Sequence, residues 1–114
     1  MNIHNFSSTC LSFPDTLESP HFDNIAFKVK NKIFATLNAK EMRATIKLEL
    51  VDQDVFCRVS KGSIYPVPNK WGKHGWTHLN LSTIPEDLAI DAIETAYRTA
   101  ARKKTLKDSN LPEE

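Results

Sequence analysis

Residues 65–81 read YPVPNKWGKHGWTHLNL. This stretch holds both tryptophans of the chain, two of its three glycines, two of its six prolines and two of its four histidines. Proline fixes φ and removes a backbone donor, whereas glycine opens positive φ, so Pro66 to Gly75 reads as a stiffened loop. Trp76 to Leu81 then alternates apolar and polar side chains and reads as a strand. A strand this late, between earlier strands and a closing helix, makes the chain α+β.

On its C-terminal side, Thr83-Ile84-Pro85-Glu86 has the form of a capping box with proline in the first turn. Leu88, Ala89, Ala92, Ile93, Ala96, Tyr97 and Ala100 make an apolar stripe, predicting a helix down to about Lys104. Arg98, Arg102, Lys103 and Lys104 gather where the helix dipole favours positive charge. We read residues 1–104 as one domain and 105–114 as a polar, fraying tail.

On its N-terminal side, Val51, Val55 and Val59 recur every four residues and predict a short helix, Asp52 to Val59, with the valines as its apolar face. Ala44, Ile46 and Leu48 alternate with Thr45, Lys47 and Glu49, giving a strand. Ile25 to Leu37 reads as a hairpin turning at Asn31-Lys32, because asparagine tolerates the positive φ of a tight turn. Asp15 to Asn24, with Pro20, reads as a connection. Ile3, Phe6, Cys10 and Phe13 give one apolar face to a first helix, about Ile3 to Ser12, capped by Asn2 and ended by Pro14.

These elements predict a mostly antiparallel sheet with helices on one face. That face takes Ile25, Phe27, Val29, Ile46, Leu48, Leu79 and Leu81. The opposite, open face takes Lys28, Phe34, Thr36, Thr45, Lys47, Trp76, His78 and Asn80.

Composition bounds the function. With 40% hydrophobic and 25% charged residues, the chain has the make-up of a soluble globular domain. The sequence has no apolar run near the ~20 residues that span a bilayer. The N-terminal stretch MNIHNFSSTCLSF lacks the pattern of a signal peptide, so a cytoplasmic location is expected. Cys10 and Cys57 are single cysteines, expected reduced and buried. The formal charge of +1 is far from that of a dedicated polyanion binder.

The runs AFKVKNKIFATL (26–37), IKLEL (46–50) and YPVPNKWGKHGWTHLNL, followed by a closing helix with Tyr97, resemble the MmcQ/YjbR-like proteins. The resemblance covers the chain to about Lys104, and its most specific parts are FKV…K.FA.L and PVP..WG..GWT. It implies a small bacterial domain of frataxin-like (CyaY-like) topology. It also implies DNA binding, the role by which members are commonly named, through a double-wing surface. The first helix, rich in Ser and Thr, departs from the charged helix expected there.

No arrangement such as GxSxG, HExxH or a glycine-rich phosphate loop is present, so we expect no enzyme. His74 and His78 lie in a loop and a strand with no cysteine or carboxylate beside them, and no metal or cofactor is expected. Frataxin-type iron binding would want carboxylates on the first helix, and residues 3–13 have none. Lys70, Trp71, Lys73, His74 and Trp76 interleave cations and rings, a combination that holds phosphates and stacks bases. Lys28 and Lys47 would extend that surface across the sheet. The competing reading has both tryptophans pinning the loop to the sheet while the lysines solvate it. The alternative function is a protein-interaction, self-association or small-ligand module using the same face.

Overall fold

The computed structural model describes residues 1–102. Their elements are α1 (Ile3–Leu11), β1 (Leu17–His21), β2 (Asn24–Val29), β3 (Lys32–Asn38), β4 (Arg43–Lys47), α2 (Leu50–Val59), β5 (Ile64–Pro66), α3 (Lys70–Lys73), β6 (Trp76–Asn80) and α4 (Glu86–Arg102). The strands form one antiparallel sheet in the order β1-β2-β3-β4-β6-β5. The fold is therefore the expected α+β type. The tail expected over 105–114 lies outside the described residues, as do Lys103 and Lys104.

The hairpin forms one residue earlier than expected. Its turn is Lys30-Asn31, and both residues have positive φ (52° and 65°), as a two-residue type I′ turn demands. β1 is a strand that the sequence reading missed, in the sequence LESPH. Pro20 is tolerated there because β1 is an edge strand, pairing only with β2.

Phe34 corrects the expected open face. Between β2 and β3 the register steps from Phe27↔Ala35 to Lys28↔Ile33, leaving Phe34 as an extra residue. The bulge turns Phe34 inward, where it is fully buried and meets the Tyr97 ring edge-on at 5.5 Å. Ile33 moves to the other face and joins Ala26, Val67 and Trp76 in a second, small cluster.

The main core lies between the sheet and the helices. Phe6 and Cys10 of α1, and Ala89, Ala92, Ile93 and Ala96 of α4, pack with Phe27, Leu37, Ile46, Leu48, Leu79 and Leu81. Tyr97 stacks on Phe13 at 4.8 Å and donates its hydroxyl to the Pro14 carbonyl, tying α4 to the end of α1. Thr83 does not act as the expected cap; its hydroxyl bonds that of Ser63 at 2.8 Å, and the helix begins at Glu86.

α2 presents its face the other way round from the expectation. Val51, Val55 and Val59 are more than half exposed, while the polar Gln53 is buried. The inward side is set by Phe56 and Cys57, which pack against the main core, and by the hydrogen bonds of Gln53 described next, rather than by the valines.

Candidate nucleic-acid interface

The loop predicted over 66–75 contains a single helical turn, α3. Asn69 caps it, its Oδ1 accepting from Trp71 N at 2.9 Å. The segment is bonded throughout: Val67 N donates to Trp76 O, Gly72 N to Asn69 O, His74 N to Trp71 O, Gly75 N to Gly72 O and Leu48 N to Gly75 O, all between 2.9 and 3.1 Å. Gln53 Nε2 reaches across from α2 to Gly72 O (3.0 Å), Thr77 Oγ1 (3.0 Å) and Trp76 O (3.3 Å). The backbone that carries the candidate residues is thus held in place before any ligand arrives.

The glycines make the close approaches possible. A Cβ on Gly72 would fall 2.0 Å from Val67 O, and one on Gly75, whose φ is +103°, would fall 1.9 Å from Leu48 O.

Of the predicted residues, the register brings several to one place. Lys28 stands opposite Ile33, and Lys47 opposite Trp76. Ile33 and Trp76 belong to the same small cluster, on which the partly buried Trp71 packs. Lys47 Nζ lies 5.7 Å from the centre of the Trp76 ring, and Lys70 Nζ lies 5.3 Å from that of Trp71. His74 is exposed, its ring 6.2 Å from Trp71. An apolar island is thus rimmed by Lys28, Lys47 and Lys70. Trp76 is 1% exposed and packs within that island rather than offering a stacking surface. Lys73 is exposed and turns toward an open hollow of about 530 Å³, lined also by Gln53, Pro66, Pro68, Asn69 and Lys70.

The described arginines at the end of α4, read above as matching the helix dipole, have acidic neighbours. Arg98 pairs with Glu94 and Arg102 lies 3.9 Å from Glu49.

Further along the same face, the register lines up Thr36, Thr45, His78 and Tyr65 across four strands. His78 Nδ1 and Thr45 Oγ1 are 2.9 Å apart, and the Tyr65 ring meets the imidazole edge-on at 5.4 Å. Burial, and secondarily the Arg43 guanidinium, pull the His78 pKa down to about 4, so the ring is neutral at neutral pH. Burial likewise pushes the Cys10 thiol far up, which makes it inert packing. No group of three His, Cys, Asp or Glu side chains that could hold a metal occurs among the described residues. No described helix is long and apolar enough to cross a membrane.

Sequence reading did not find Gln53 or the Thr45–His78 pair as a unit. The only signal for Gln53 was a polar residue in a helix whose valines drew attention to the opposite side.

A six-stranded antiparallel sheet, backed by helices on one face and carrying a basic and aromatic turn at one end of the other, defines a class of small α+β domain. The YjbR family model matches residues 11–99, and the chain belongs to the YjbR family. Among solved structures it is similar to the crystal structure of Deinococcus radiodurans protein DR2400, a DUF419 domain. The TM-score is 0.77 at 22% identity, over 90% of this chain and 80% of that one. A comparison with curated proteins found no match.

Proposed function

We propose that this YjbR-family domain is a non-enzymatic module that binds nucleic acid with low sequence specificity, through Trp71 and the cations around it. The observation that carries the reading is the partly buried Trp71 ring seated on the Ile33–Trp76 island, with Lys70 over its face and Lys28 and Lys47 beside the island. Lysines neutralise phosphates without reading sequence, and an indole stacks on any base. Lys70 is exposed, so its ammonium can move from the ring to a phosphate when a base takes its place. Lys73 extends the positive rim on the same turn, and His74 adds a ring beside Trp71. Few contacts are involved, so affinity is weak and strongly dependent on salt.

The test is a titration of a single-stranded DNA oligonucleotide against intrinsic tryptophan fluorescence at low and at physiological salt. With four phosphate contacts, affinity should fall about 50-fold for a fourfold rise in salt. Absence of binding at low salt would remove the proposal.

A second reading rests on the hollow beside the same turn, where Gln53, Asn69, Lys70 and Lys73 line about 530 Å³ of open space. It would suit a small anionic ligand. Such a ligand would protect the turn from hydrogen exchange without requiring a polymer of phosphates, which separates the two readings.

A further inference from the structure

We propose that α2 is a contact between two copies of this chain, packed antiparallel about Val55. Val51, Val55 and Val59 are 67%, 52% and 56% exposed and follow one another at four-residue steps, so they form one apolar strip on the outer side of the helix. Valine is a poor helix former, and an isolated exposed helix face gains nothing from three of them. Scattered exposed apolar residues need no explanation, but these are contiguous.

The charges beside the strip indicate what covers it. Asp54 and Arg58 lie on one flank, 2.9 Å apart, with side chains 60% and 76% exposed. In a twofold antiparallel pair the same flank of each helix faces its counterpart. With the axis at Val55, Val51 of one copy meets Val59 of the other. The rise of 1.5 Å per residue then places Arg58 about 3 Å along the axis from the second copy's Asp54. The two intrachain pairs, one in each copy, exchange for two interchain pairs, so the flank is self-complementary in charge. An unrelated partner has no such requirement to match Asp54 and Arg58 in this order. One helix per copy buries little area, so the association belongs to the weak class, on the order of 100 µM.

The contact uses the outer strip of α2, Val51, Val55 and Val59, and none of the residues of the proposed nucleic-acid surface. Sedimentation of the full chain without nucleic acid, from about 10 µM to about 1 mM, tests it. The expected result is a concentration-dependent doubling of mass. Val55→Glu should abolish it with the far-UV spectrum unchanged, and Val59→Glu serves if the first variant fails to fold. Asp54→Lys and Arg58→Glu should each weaken self-association at least tenfold, and an equimolar mixture of the two should restore a dimer. A chain that stays monomeric throughout, or a Val55→Glu variant that still doubles in mass, would overturn the proposal. So would a mixture of the two charge variants that does not pair.

Discussion

Gln53 Nε2 donates to Gly72 O at 3.0 Å, joining the inner side of α2 to the turn that carries Trp71. The same amide also serves Thr77 Oγ1 and Trp76 O, and Gln53 is 9% exposed. Removing the amide takes all three bonds and a buried side chain out of the site, while Gly72 O and Trp76 O keep only their backbone donors, Gly75 N and Val67 N. We therefore expect Gln53→Ala to cost about 2–3 kcal/mol, read from urea denaturation. Gln53→Glu keeps the shape but brings a carboxylate against oxygens, so it should be at least as destabilising at neutral pH.

The glycines of the turn should differ sharply from the third glycine. Gly72→Ala and Gly75→Ala each force a methyl group into a backbone carbonyl and should cost more than about 2 kcal/mol. Gly62 also has positive φ, +97°, but a Cβ there meets nothing within 4 Å. Gly62→Ala should therefore cost only about 1 kcal/mol, the strain of the left-handed conformation alone. Thermal denaturation of the three variants checks the ranking.

His78 sets a pH dependence. Its pKa is lowered from 6.5 to about 4, so between these values the unfolded chain takes up a proton that the folded chain refuses. Stability from this residue is thus complete above about pH 6.5 and is lost on acidification toward about pH 4, by on the order of 3 kcal/mol. Denaturation of wild type and His78→Asn at several pH values measures it. The wild type should lose more stability than the variant across that window, and parallel curves would contradict the assignment.

Much of the fold was legible because periodicity and turn chemistry agreed. The hairpin announced itself through alternating residues on either side of Asn31, and α4 through its broad stripe of alanines with Leu88 and Ile93. What stayed hidden depended on long-range contacts. Phe34 looks like an outward residue until the bulge turns it toward Tyr97. LESPH carries no apolar alternation, because an edge strand with exposed side chains needs none. The valines of α2 obeyed the helical period but marked the solvent side, since Phe56 and Cys57 on the core and hydrogen bonds from Gln53 fix the other side inward. At the candidate site, sequence identified the basic and aromatic residues but did not separate the fully buried indole of Trp76 from the partly buried one of Trp71.

Fluorescence anisotropy of a labelled single-stranded oligonucleotide, compared for wild type and Trp71→Ala at low salt, tests the central claim most directly. Loss of one base stack, about 1–3 kcal/mol, should weaken binding roughly 5- to 150-fold while Trp76, still in its cluster, keeps the blue-shifted emission of a buried indole. Equal affinities for the two proteins, with that emission intact, would contradict a binding surface built on Trp71.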